Sequence, residues 1–403
     1  MTPPDSTAPR RDNQSPLRRQ VQRLRAAVYA QPDPTANPDL LAELSLAEGA
    51  LRAEEAAAGP VPTDAPAAVA PAGRMLGPNS TQLKVEPTLN MHPVPTAIYP
   101  LLDPDTDPLL TVAVSNLSLN AGVKRVCVRA WIEGLSAECV RTVELPRGAK
   151  APVVLKLLPL LFPERVRLVT EVQRATLHLR VDDLDGKPES HDTFPLVLLA
   201  RTSGFNAAAD PATGLSKDLT HYYGSWVTPY AEPVQALLRV AAGFAPAGQL
   251  LGYLRGGGGR VRDQVAAVYR ALKEHGVAYV HSVTDYGAPR GTVTQRTRLP
   301  REALDRKSAN CIDGAVLFAS LLEGASLNAA LLLVPGHALA GWEAADGSGE
   351  WRFVETTMVG TDDFDAACAS GQRQYEKNRE MYPESLRLHP LAALRDRGIW
   401  PME

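Results

Sequence analysis

Cysteine is scarce in this chain, with four in 403 residues. So few cannot build a disulfide scaffold, and no Cys-x-x-Cys or Cys/His zinc spacing occurs, so no bound metal is expected. No apolar run approaches the roughly 18 residues of a membrane span. The opening MTPPDSTAPRRDNQSPLRRQ has no apolar core of the kind a secretory signal carries. A dominant charge is missing too: 42 Lys and Arg against 45 Asp and Glu leave −3, which gives no field to recruit nucleic acid or an anionic membrane. Lysine is sparse, nine of those 42 basic residues, and 42 − 9 = 33 are arginine. Together with 30 Gly and 34 Pro, this is the coding bias of a GC-rich bacterial genome. The expectation is a cytoplasmic bacterial protein in a reducing compartment, with no cofactor and neither nucleic acid nor membrane as partner. At 45% hydrophobic and 22% charged, the composition is that of an ordinary globular chain, and its length favours two or three domains.

Residues 1–14 read as a disordered tail. Ser15-Pro16 and Asn37-Pro38 each pair an N-cap residue with proline at the first helical position. Leu17, Val21, Leu24 and Val28, then Leu40, Leu44, Ala47 and Leu51, repeat one apolar spacing, which predicts a helical hairpin over 15–58. Arg18, Arg19, Arg23 and Arg25 flank the first stripe, either as a solvated face or as a docking surface for an acidic protein partner. Residues 59–80 form a linker: thirteen of the twenty residues from Gly59 to Pro78 are Pro, Gly or Ala, and no periodicity survives there.

Alternation takes over in 81–200. Val126, Val128, Ala130 and Ile132 point one way, and Arg125, Cys127, Arg129 and Trp131 the other. Similar strands are predicted at 109–116, 137–145, 151–158, 174–183 and 192–200. Short strands at this spacing predict an antiparallel, immunoglobulin-like β-sandwich. A turn at Gly134-Leu135 would set Cys127 opposite residue 142, about 10 Å along the strand from Cys139. A bridge allows roughly 7 Å between Cα atoms, so both are expected as free thiols. Residues 201–235 read as an irregular connection whose Tyr222, Tyr223, Trp226 and Tyr230 would pack as a strap. Helices are predicted at 232–243 and 261–275. The glycine run Gly256 to Gly259 lacks a closing Gly-Lys-Ser/Thr and reads as a surface loop, not a phosphate loop.

The chemistry-bearing stretch is Ser308-Ala309-Asn310-Cys311-Ile312-Asp313, followed by an apolar run to Gly324. Ser308 and Asn310 are capping residues and Gly324 is a helix stop, which puts Cys311 in the first helical turn. The positive end of a helix favours a thiolate over a thiol. Two strand-like runs follow, Ala329 to Val334 and His337 to Glu343, and a third runs from Trp351 to Glu355. The order is cysteine on a helix, histidine on a strand, acid on the next strand. A thiolate needs an imidazole, and the imidazole needs a carboxylate to fix its tautomer and orientation.

The run NCIDGAVLFASLLEGASLNAALLLVPGHALAGW…WRFVETT resembles the core of the transglutaminase-like cysteine peptidase superfamily. The resemblance covers about residues 260–360 and implies a papain-like α+β fold over 236–403. By the motif, Cys311 corresponds to the nucleophile, His337 to the base and Glu355 to the orienting acid, where Asp is usual. Members include peptidases, cross-linkers, deamidases and amidases, so the resemblance implies thiol acyl transfer on a peptide or protein substrate. Gln295 and Asn310 are the candidate oxyanion donors besides the Cys311 N–H. Asp313 serves the helix dipole or supports the site, and Cys368 reads as core. Two other readings stand beside the enzyme: a binding protein that keeps the fold as a scaffold, and an effector whose hairpin and sandwich recognise a partner. Limited proteolysis is expected to cut first within 59–80 and to leave a fragment spanning sandwich and catalytic region. First cleavage within 201–235 would show instead that the two large domains are independent.

Overall fold

The computed structural model describes residues 83–117, 122–146, 151–185, 189–209, 216–254, 258–281 and 293–402, together with 20, 24, 74 and 75. The chain divides into two compact units, Met1–Ala67 and Ala68–Glu403. In the first, Gln20 and Leu24 are helical and Leu24 is buried. The rest of the tail and hairpin lies outside the described residues, as does the linker except Arg74 and Met75, which pair as a strand with Val85 and Lys84 where the sequence predicts linker.

The second unit is a mixed α+β structure. It opens with β1 (Arg74–Met75), β2 (Leu83–Leu89), β3 (Leu110–Asn116), β4 (Lys124–Ile132), β5 (Cys139–Leu145), β6 (Val153–Leu157), β7 (Gln173–Asp183) and β8 (Glu189–Leu198). These make two antiparallel four-stranded sheets, ordered β1-β2-β3-β6 and β5-β4-β7-β8. Val126, Val128, Ala130 and Ile132 are fully buried against Val112, Val114, Leu177 and Leu179, so the alternation read from the sequence is the inward face of a sandwich. Cys127 pairs with Thr142 across β4 and β5, which leaves it out of register with Cys139, and both thiols are free.

The connection after the sandwich is more regular than its sequence indicates. It contains β9 (Ser203–Ala209), β10 (Ser216–Asp218) and a short 3-10 turn, Thr220–Trp226, before α1 (Glu232–Phe244). Tertiary pairing overrides weak local propensity here, because β9 lies between β10 and the distant β12 (Val293–Arg296). Tyr223 and Trp226 are buried as expected, and Trp226 donates to the Thr297 carbonyl at 3.2 Å. Each such aromatic contributes on the order of 2–3 kcal/mol by burial. Tyr230 departs from the expected strap, being 84% exposed. Two ion pairs tie the sandwich side to the C-terminal elements, Arg201 to Glu302 at 2.7 Å and Arg296 to Glu171 at 2.9 Å.

Next come α2 (Gly258–His275), which already includes the last two glycines of the run, β11 (Ala278–Tyr279), α3 (Pro300–Arg306), β13 (Ser308–Ala309) and α4 (Cys311–Gly324). The chain continues through β14 (Ala329–Val334), β15 (His337–Glu343), β16 (Trp351–Val354), α5 (Phe364–Met381), β17 (Arg387–Pro390) and α6 (Leu391–Asp396). Gly324 is the last residue of α4 rather than the left-handed stop, which falls on Ser326 (φ 60°). A Cβ on Gly324 would sit 2.9 Å from Leu238, so crowding against α1 accounts for that glycine. Residues 311–322 of α4 are all buried, as suits a helix apolar on every side. β14, AALLLV, is buried at every position because its sheet, β16-β15-β14-β17, is covered on both faces. Leu331 and Leu333 face the core around α4, while Leu332 and Val334 join Leu339 and Phe353 beside Tyr375 of α5.

Among the described residues no helix is long and apolar enough to cross a membrane. Gly371 lets α5 lie directly on β16, since a Cβ there would stand 2.9 Å from the Phe353 carbonyl carbon and the Val354 nitrogen. Backbone cannot yield as a side chain does. Gly371→Ala is expected to destabilise by about 1–3 kcal/mol, read as a lower urea midpoint, whereas an unchanged midpoint would mean that α5 shifts freely.

Candidate active site

The helix start is built reciprocally. Asn310 Oδ1 accepts from the Asp313 N–H at 2.9 Å, and Asp313 Oδ2 accepts from the Asn310 N–H at 3.1 Å. Arg298 closes the arrangement: its backbone N–H donates to Asp313 Oδ1 at 2.7 Å and its guanidinium to Oδ2 at 2.9 Å. Burial pushes the Asp313 carboxyl above its ordinary value, against the pull of those donors. Asp313 therefore clamps α4 to the 295–298 segment and supports Cys311 from behind. Cys311 is the first helical residue and is 6% exposed.

His337 begins β15 just after the Gly336 turn (φ 73°), and Glu355 follows the last residue of β16. Ala340 pairs with Val354, so the register continued by one residue sets Glu355 opposite Leu339. His337 is then its diagonal neighbour, at roughly 7–8 Å in a regular sheet. The longer side chain of glutamate spans that diagonal, and His337 Nε2 meets Glu355 Oε2 at 2.7 Å. With Nε2 engaged, Nδ1 is the nitrogen left for Cys311, which is close enough to His337 to raise the imidazole.

Glu355 is 3% exposed and accepts from four donors. Oε1 takes the Thr357 N–H at 3.0 Å and the Thr357 hydroxyl at 2.7 Å, while Oε2 takes His337 and, at 2.6 Å, Gln374 Nε2. Burial alone would raise this carboxyl, but the charge of His337 and the hydrogen bonds outweigh it and hold Glu355 below its ordinary range. Burial likewise works against a charged His337. The Glu355 charge, the neighbouring Cys311 and the hydrogen bond to Glu355 prevail, so the imidazole lies well above its usual 6.5. An imidazolium paired with carboxylate is the state this pocket favours.

Gln374 was not legible in the sequence. It lies one turn beyond Gly371 on α5, and only the close approach of α5 to β16 brings its amide to Glu355. Tyr279, on β11 beside Ala309 of β13, was missed as well; burial first, then Cys311 and Glu355, push its phenol up to about 12. The two oxyanion candidates part company. Asn310 Nδ2 donates to the Arg296 carbonyl at 3.1 Å while its oxygen caps the helix, so that side chain holds α4 rather than offering a donor to substrate. Gln295, on the strand next to that carbonyl, has its Nε2 buried with no hydrogen-bond partner. A buried donor without a protein partner costs about 1–3 kcal/mol and is accounted for if its acceptor arrives with substrate.

Among the described residues no group of three or more His, Cys, Asp or Glu could hold a metal ion. Cys368 lies on α5, packed against the core, and burial pushes its thiol up to about 12. The chain matches no family model and no curated protein. Mass-spectrometric mapping after brief iodoacetamide treatment at pH 6 is expected to find Cys311 carrying the label first. Faster labelling of Cys127, Cys139 or Cys368 would contradict the assignment.

Proposed function

We propose that this protein is a thiol-dependent acyl-transfer enzyme, a cysteine peptidase or amidohydrolase using Cys311, His337 and Glu355. The C-terminal region is read as a transglutaminase-like domain, and the sandwich before it as immunoglobulin-like. One observation carries the proposal: a single imidazole is hydrogen-bonded to a buried carboxylate and is raised in part by the neighbouring thiol of Cys311, the first residue of a helix. Neither contact is needed to close the core, since leucines at those positions would avoid burying charge.

In the proposed reaction, Cys311 Sγ attacks an amide carbonyl while the developing oxyanion takes hydrogen bonds from the Cys311 N–H and Gln295 Nε2. The imidazolium of His337 then gives its proton to the departing amine, leaving a thioester. Water, activated by the now neutral imidazole, hydrolyses it. A primary amine in place of water would give cross-linking, and a glutamine side chain as the first amide would give deamidation. The Met1–Ala67 unit, with its predicted basic hairpin, is the candidate for recognising a protein partner.

Cys311→Ala and His337→Ala are expected to lose activity on a peptide amide to similar extents, because members of one catalytic unit are strongly non-additive. Equal turnover by wild type and both variants would instead favour the scaffold reading. The pH dependence follows from the sign of the His337 shift. Its raised value keeps the imidazole protonated above pH 6.5, so the alkaline limb of kcat/KM lies above that value. Glu355→Gln removes the charge that outweighs burial, so the limb should move to lower pH with partial activity retained. A limb that stays in place would remove Glu355 from the mechanism.

The same shifts set a stability window. The His337 contribution is complete below its unfolded value of 6.5 and is lost as pH rises through the higher folded value. That of Glu355 is present above its unfolded 4.5 and is lost as pH falls through the depressed folded value.

A further inference from the structure

The extra methylene that lets Glu355 reach His337 across a diagonal also gives it one more bond to rotate. That freedom has to be removed for the carboxylate to hold a single face toward the imidazole. Two of its four donors come from close by in the chain, since the Thr357 N–H and hydroxyl both go to Oε1. They tether one oxygen and leave the carboxylate free to pivot about it. Oε2 takes His337 Nε2 at 2.7 Å and Gln374 Nε2 at 2.6 Å. The imidazole turns about its own side-chain bonds and does not fix Oε2 by itself. Gln374 can, because it comes from α5, an element that carries neither His337 nor Glu355.

The face of α5 that bears Gln374 is firmly seated. Ala367, Gly371, Gln374 and Asn378 recur at spacings of 4, 3 and 4 and so lie along one side of the helix. The Ala367 carbonyl accepts the Glu355 N–H at 3.1 Å, so α5 holds the main chain of Glu355 as well as its carboxylate. Gly371 lies against the β16 backbone, and the Tyr375 ring packs 4.5 Å from that of Phe353. Asn378 Nδ2 donates to the Gln374 carbonyl at 2.8 Å. A donor on a support this rigid can orient the group it meets.

We propose that Gln374 is a positioning residue for the Cys311, His337 and Glu355 unit: its amide pins Glu355 Oε2, so that the carboxylate keeps the imidazole turned with Nε2 to the acid and Nδ1 toward Cys311. The inference rests on the reading of those three residues as one catalytic unit. It makes the reactivity of Cys311, at the start of α4, depend on how α5 lies on β16.

Gln374→Met tests this, because it removes the donor at similar length and helix propensity. The groups that act on His337 are Glu355 and Cys311, and Tyr279 on β11 is acted on by both; the substitution changes none of these charges. Alkylation of Cys311 by iodoacetamide, followed from pH 5 to 9, is expected to be roughly tenfold slower at pH 6 in the variant, with its midpoint moved to higher pH. Turnover of a peptide amide should lose kcat by a similar factor with KM unchanged. Gln372→Met is the control: it sits on the same helix, its Nε2 donates to Glu376 at 3.0 Å, and it should match wild type. A residue that only docks α5 would lower the thermal midpoint and leave the labelling profile of the folded protein in place. A Gln374→Met profile superimposed on that of wild type, or an equal shift in Gln372→Met, would overturn the proposal. A second measurement needs no variant: with glutamine side chains labelled by nitrogen-15, the Gln374 Nε2 resonance of wild type should shift as His337 titrates, and a flat resonance would also overturn it. Labelling and resonance need no substrate. Absent turnover by wild type would therefore sink the enzyme and leave these readings standing, whereas an unchanged profile would remove Gln374 and leave Cys311 as nucleophile.

Discussion

A hydrogen bond of 2.7 Å between His337 and Glu355 is the contact around which the C-terminal half is arranged. A carboxylate this deeply buried cannot remain charged without compensation. Much of the surrounding geometry supplies it. The turn after β16 brings the Thr357 N–H and hydroxyl to one oxygen, and α5 delivers Gln374 to the other. Even Gly371 belongs to this arrangement, because a side chain there would hold α5, and Gln374 with it, away from β16.

The opposite wall is organised by a second buried carboxylate. Asp313 joins the start of α4 to Arg298, and the Arg296 carbonyl beside it receives the Asn310 amide. That strand is in turn held through Arg296 by Glu171 of the sandwich, and by pairing with β9 just after the sandwich ends. The sandwich thus contributes to the position of the strand carrying Gln295. This pairing gives a physical reason for the Ala68–Glu403 unit to hold together across the sandwich and the C-terminal elements.

Within that frame the polar groups of the site divide by whether their bonds are complete. Glu355, Asp313 and Asn310 have their hydrogen bonds supplied by the protein. Gln295 Nε2 does not. The filled groups rigidify, and the unfilled one is where the oxyanion of an incoming amide is proposed to bind.

The sequence by itself determined the local features. Period-two alternation in β4, Asn310 before the apolar run of α4, and Pro335-Gly336 between β14 and β15 were all legible, because each depends on neighbours close in the chain. Cys311, His337 and Glu355 could be named in advance because residue order along helix and strands fixes which ends meet. Only the tertiary structure decided the rest. β9 was invisible because its partner lies about ninety residues later, at β12. Asn310 could not be told from Gln295 as a donor until the Arg296 carbonyl was seen to occupy its amide. Gln374 and Tyr279 carry no motif at all; Gln374 reaches Glu355 because one helix is allowed to touch a strand, and Tyr279 lies on a short strand beside the one that leads into Cys311. Hydrogen-bond partners separated by tens of residues are selected by packing, and packing is not written in any local period.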